Sequence, residues 1–232
     1  MNNHPDPELE HPEQATPDLE KQLRAMALNE RISALSQLSR MDSGLAVPIL
    51  TRLSKEKDFL LRRLAVMGLA KHQTEDSFQA LKQLIDREDD QSVLAEAANS
   101  MFDFGDRGIP ILLTIFEQSN HWLVRQTIIS VLVESDYCDA LFEVATQALQ
   151  DETQTVKEAG ILAMGYVWRS PLASAAFEQV KTLAIDEFWR NRWRAANALS
   201  GCLLPESREV LAILQTDAHY QVVAAALEVT LG

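Results

Sequence analysis

The densest chemistry in the sequence lies in Phe188-Trp189-Arg190-Asn191-Arg192-Trp193-Arg194. Trp189 and Trp193 stand four residues apart, as do Arg190 and Arg194, so a helix here carries an aromatic face and a cationic face. A guanidinium takes a carboxylate bidentately, and an indole offers a flat apolar platform beside it. Such a surface suits a carboxylate-bearing ligand or an acidic protein patch; solvated helix charge is the plainer reading. His121 and His219 directly precede Trp122 and Tyr220. A histidine so placed either caps the following helix or serves as a ligand or proton carrier. Cys138 and Cys202 read as small apolar residues, with thiolate ligation as the alternative. Sixty-four residues apart, they close no metal site alone. No phosphate-cradling glycine loop, nucleophile elbow, His-Glu-x-x-His or Cys-x-x-Cys occurs, and no catalytic residue is assigned.

The 232 residues carry a formal net charge of −13. That balance opposes binding to phosphate backbones or to an anionic membrane surface. No apolar run approaches the ~18 residues of a spanning helix, and the N-terminus lacks a basic and apolar leader pattern. Two cysteines imply no disulfide framework, so a cytoplasmic protein is expected. Residues 1–17 hold four of the eight prolines and four acids, a composition that predicts a disordered acidic tail.

From residue 18 to 232 the chain repeats itself. The frame is an aliphatic position, a basic one, a small residue four places on and a large aliphatic eight places on. Leu61-Arg62…Ala65…Leu69 and Val156-Lys157…Gly160…Met164 are good copies. Frames start at 30, 61, 93, 124, 156, 191 and 222. Positions 0, 4 and 8 share one helical stripe, and a small residue at position 4 lets a neighbouring helix approach. A second apolar helix is predicted before six of the frames, over 45–53, 76–85, 109–116, 140–149, 173–184 and 206–214, with Pro48 and Pro110 near the starts of theirs. Strand signals are nearly absent. The expected architecture is all-α, each unit a helix pair buried only by its neighbours.

Two residues before each frame start stand Leu28, Phe59, Gln91, Trp122, Gln154, Trp189 and Tyr220. This row either wedges between repeats as core or rims a binding groove, where Trp and Tyr are the usual anchors. The basic slot, filled by Arg31, Arg62, Arg125, Lys157 and Arg192, predicts a ladder of pairs to acids of the neighbouring repeat. Arg190 and Arg194 fall outside that slot and are expected to be freer to bind. Between Gln126 and Trp168 seven acids face Lys157 alone, whereas residues 169–194 hold five bases against three acids. Charge so divided suits orientation of a partner or a merely solvated exterior.

The stretches Trp122-Leu123-Val124-Arg125, Arg192-Trp193-Arg194-Ala195-Ala196-Asn197-Ala198-Leu199 and Tyr220-Gln221-Val222-Val223-Ala224-Ala225-Ala226-Leu227 resemble the HEAT-repeat family, in its short-period phycobilisome-lyase-type branch. The resemblance implies a right-handed α-solenoid of about seven helix pairs, with second helices lining a concave face, and a cyanobacterial source. It implies two further functions beside a protein-binding scaffold. One is an E/F-type phycobilin lyase subunit or bilin chaperone, with phycocyanobilin as ligand and a phycobiliprotein subunit as partner. The other is an accessory to an A-type iron–sulfur carrier, with a cluster shared through Cys138 or Cys202. No lyase-specific motif matches particular positions of this chain. The residues placed at a partner or ligand surface are Phe59, His121, Trp122, Trp189, Arg190, Trp193, Arg194, His219 and Tyr220.

Overall fold

A computed structural model describes residues 12–25 and 27–231, with side chains described from residue 17 onward. Among the described residues it contains fourteen α-helices, two 3-10 turns and no strand. The odd-numbered helices are α1 (Pro12–Leu23), α3 (Ser43–Leu53), α5 (Glu75–Ile85), α7 (Ile109–Gln118), α9 (Cys138–Ala148), α11 (Ala173–Leu183) and α13 (Ser207–Leu214). The even-numbered ones are α2 (Leu28–Leu38), α4 (Phe59–His72), α6 (Gln91–Phe102), α8 (Trp122–Val133), α10 (Gln154–Ala163), α12 (Trp189–Ala198) and α14 (Tyr220–Leu231). Every even helix begins at the residue two places before a frame start, so the repeat seen in the sequence is the register of these helices. The expected all-α solenoid of helix pairs is the fold observed.

Two boundaries differ from expectation. The expected tail 1–17 overlaps α1, which is helical from Pro12; proline at a first helical position loses no intrahelical bond. Residues 1–11 lie outside the described residues. Helix α3 starts two residues early because Asp42 accepts a hydrogen bond from the Gly44 amide. Pro48 therefore sits inside α3 rather than near its start.

The chain divides into two compact units, Met1–Ile111 and Leu112–Gly232. In the first, α4 packs against α2, α3, α5 and α6 around fully buried Leu38, Leu50, Leu53, Leu69 and Leu81. In the second, α10 packs against α8, α9 and α12, and α12 against α14. The small frame position works as expected in α10: a Cβ on Gly160 would stand 2.6 Å from the Cβ of Ala148. Only hydrogen fits between α10 and α9 there.

The predicted arginine ladder is present inside both units. Arg31 pairs with Asp58, Arg62 with Glu88, Arg125 with Asp151 and Arg192 with Asp217. Each guanidinium also donates to one or two backbone carbonyls ahead of its own helix, as Arg62 does to Glu56 and Lys57 and Arg192 to Asp186 and Glu187. Each acid in turn accepts an amide of the loop or helix that follows, from Leu60, Asp90, Thr153 and His219. One side chain thus ties a loop, its helix and the next repeat together. Lys157, in the same slot, makes no ion pair among the described residues.

His72 closes α4 with Nε2 3.1 Å from the Leu38 carbonyl and Nδ1 3.2 Å from the Ser43 hydroxyl. A neutral imidazole satisfies both, donating from Nε2 and accepting at Nδ1. Burial holds its pKa below the usual histidine value, outweighing the Leu38 carbonyl and the charge of Asp42. The unfolded chain therefore binds the proton more readily. Stability should begin to fall once pH drops below about 6.5 and level off beneath the folded pKa. In urea titrations His72→Gln should remove that shallow slope; an unchanged slope would assign it elsewhere.

Candidate functional site

The seven row residues are the first residues of the seven even helices. Four are well exposed: Leu28 55%, Phe59 50%, Trp122 45% and Tyr220 76%. The core reading therefore fails for them. In the first unit, α2 and α4 also expose Ile32 and Met67. Neither Ile32 nor Met67 was foreseen, although each lies four or eight places from a row residue on one helical stripe.

Trp189 is different. It is half-buried, with the His219 ring parallel to it at 3.8 Å between centroids. Trp193 lies 6.3 Å away on its own helix, and Phe188 6.3 Å away before it. His219 stacks in turn on Tyr220 at 5.2 Å. The start of α12 and the start of α14 therefore share one run of rings that ends at exposed Tyr220. Wedging between repeats and facing solvent both occur in this row, at different members.

The two histidines cap as expected: Nδ1 of His121 accepts from the Leu123 amide and Nδ1 of His219 from Gln221, both at 3.3 Å. Accepting at Nδ1 places the proton of the neutral ring on Nε2. His219 combines its cap with the stack on Trp189, a contact between repeats that sequence spacing does not show.

Arg190 and Arg194 are not free, which corrects the expectation drawn from their position outside the slot. Both pair with Glu158 of α10: Arg190 Nε at 2.7 Å and Nη2 at 3.2 Å, Arg194 Nε at 2.9 Å. Glu158 is 5% exposed and also accepts from Gln154, whose amide reaches buried Asn191 on α12. Burial raises its pKa, but the hydrogen bonds from Arg194, Gln154 and Arg190 together hold it below the usual carboxylate range. Arg194 further lies over the Trp193 ring at 4.0 Å. The acidic and basic stretches of the sequence thus meet inside the chain at Glu158. Asp151 is taken by Arg125, which precedes both stretches, and Glu134, Asp136, Asp139, Glu143 and Glu152 stay exposed. Glu158 was missed as a site residue. Its signal was its frame place, the one that Trp193 fills in the next repeat.

Cys138 and Cys202 are each half-buried rather than buried. Among the described residues no three His, Cys, Asp or Glu side chains gather into a metal-binding group, and no helix is long and apolar enough to cross a membrane.

Residues 16–102 match the family model for HEAT repeats. The match agrees with the helix pairs of the first unit, and the same register continues in the second. No curated protein sequence matches. Among solved structures, an engineered protein from the Northeast Structural Genomics Consortium superposes with a TM-score of 0.53 at 17% identity, over 91% of this chain and 66% of that one. Kap121p superposes with a TM-score of 0.56 at 16% identity, over 93% of this chain and 29% of that one. A chain of the CpcE–CpcF phycocyanin lyase complex from Nostoc sp. PCC7120 gives 0.49 at 18%, over 100% of this chain and 92% of that one. The chain thus spans less than a third of Kap121p and just under two thirds of the engineered protein. At these identities the likeness is one of fold alone.

Proposed function

We propose that the chain is an interaction scaffold that binds a protein partner through the starts of the even helices within each unit. The observation that carries this reading is the exposure of Leu28, Phe59, Trp122 and Tyr220 at one register position of the repeat. Scattered apolar residues on a surface need no explanation, but large ones recurring at one structural position do. Aromatic side chains of this kind anchor interfaces because they bury much area with few torsions to freeze. A HEAT-type solenoid offers such a face by construction, since each pair covers its neighbour and leaves one edge open. Kap121p, a neighbour in fold, has been solved bound to the SUMO protease Ulp1p and to Nup53p, which supports a protein as the bound partner.

Phe59→Ala and Trp122→Ala test the reading, because both side chains are half-exposed and their loss should leave the fold intact by circular dichroism. In affinity capture at low salt, the double variant should retain at least tenfold less of the co-purifying partner than the natural chain. Equal recovery by both proteins would overturn the assignment of these helix starts. Visible absorption of the eluate would separate a bilin-bearing partner, with its intense red-light band, from a cluster-loaded iron–sulfur carrier, with its weak broad brown absorption, and both from a colourless partner.

A further inference from the structure

The Glu158 cluster has unspent capacity. A guanidinium has five N–H donors. Arg190 directs Nε and one Nη2 proton at Glu158, and Arg194 directs Nε alone. The remaining donors of both have no partner among the described residues. Glu158 neutralises only one of the two positive charges, so the cluster keeps a net positive charge in a chain of formal charge −13. The Arg190 side chain is 44% exposed and that of Arg194 25%. Glu158 cannot move out to follow a ligand, since it is buried and held by Gln154 as well. It acts as a fixed post that spreads two forks toward solvent.

Aromatic surface adjoins these forks. Arg194 lies over the Trp193 ring, Trp193 neighbours Trp189, and Trp189 stacks on His219, which stacks on Tyr220. A guanidinium over an indole face is held by cation–π attraction and can still bind a carboxylate through its free N–H groups. The exposed acids of the fifth repeat lie on α9 and in the loops flanking it, not on α10, α12 or α14. The exposed acid of α14, Glu228, stands more than two turns beyond Tyr220. One exposed acid, Glu187, lies in the loop just before α12. The helix-start edge of α12 and α14 nonetheless presents cation and ring together, with two guanidinium groups against that single exposed carboxylate.

We propose that this edge captures an acidic peptide segment of the partner that carries an aromatic residue, with Arg190 and Arg194 receiving its carboxylates and exposed Tyr220 receiving its ring. The assignment rests on the scaffold reading and names the chemistry of what the second unit holds. The complementarity is local: most acidic peptides are repelled by the molecule as a whole, so affinity depends on reaching these two arginines.

The test needs no identified partner. The probe is the tryptophan-free peptide acetyl-Asp-Glu-Phe-Glu-Asp-amide, titrated into the full chain at low salt with tryptophan emission and calorimetry as readouts. Its Asn/Gln isostere, a Lys-Lys-Phe-Lys-Lys analogue and free glutamate serve as comparisons. The acidic peptide should bind and shift the emission, weaken as salt rises, and bind about threefold to tenfold more weakly to Arg190→Gln, which keeps Arg194 on Glu158. Tyr220→Ala should weaken it by a similar factor without altering the salt dependence. Equal affinity of Arg190→Gln, equal or tighter binding of the basic or neutral analogue, or full displacement by free glutamate would overturn the proposal. Failure here with partner capture still lost in the Phe59/Trp122 double variant would overturn this inference and leave the scaffold reading standing.

Discussion

Replacing Arg62 with alanine is expected to destabilise the first unit by about 3–5 kcal/mol, read from the urea midpoint. Glu88 meets Arg62 as a fork, Nε to Oε2 and Nη2 to Oε1, both at 2.8 Å. Its side chain is buried, so without the guanidinium a carboxylate would be left out of water with only the Asp90 amide to satisfy it. The carbonyls of Glu56 and Lys57 would lose their donor too. A surface ion pair would cost under about 1 kcal/mol, and a loss that small would show the carboxylate escaping to solvent. Lysine should recover less than half of the loss, because one ammonium cannot hold two carboxylate oxygens and two carbonyls in this geometry. The double change Arg62→Met, Glu88→Leu should be milder than Arg62→Ala, since it strands no charge.

Acid should act on the same design. Glu158 is held low by its arginines against the opposing effect of burial. Asp217 is held low chiefly by Arg192, and Asp90 chiefly by the Ser92 hydroxyl. At Asp58 burial pushes upward, but Arg31 and the amides of Leu60 and Leu61 prevail. Every one of these carboxylates has a folded pKa below its unfolded value near 4. Its stabilisation is complete above that value and is lost as pH falls through the folded pKa. The urea midpoint should therefore drop steeply below about pH 4.5, beneath the shallow histidine slope that begins near 6.5. Glu158→Gln should be less stable than the natural chain at pH 7, because an amide cannot serve two guanidinium groups. That gap should close as pH falls, since protonation disarms the glutamate as well. A constant gap from pH 7 to pH 3 would mean that Glu158 stabilises by packing rather than by charge.

Much of this molecule was legible before any coordinates. The six odd helices predicted from apolar runs agree with the observed ones to within a few residues at each end, because their periodicity comes from burying one stripe. The slot arginines also read correctly. A base at one frame position and an acid about 26 places on recur together, and the repeat makes them neighbours. The row residues were placed at helix starts correctly, but their environment was not. Leu28, Phe59, Trp122 and Tyr220 stand in solvent, whereas Trp189 is covered by His219. A single position in a repeat does not say whether the next repeat reaches over it.

Arg190 and Arg194 show the same division. Helical spacing alone places them on one face with the tryptophans nearby, since i and i+4 always share a side of a helix. Whether that face is free is another matter. Their partner, Glu158, is more than thirty residues away on α10, in a stretch that reads simply as acidic. Only the packing of α10 against α12 converts two separated charge patches into one buried carboxylate between two forks. Period and register are local properties of the chain, repeated at each turn of helix and each repeat. The destination of a long charged side chain depends on which helices meet and on how much water remains between them.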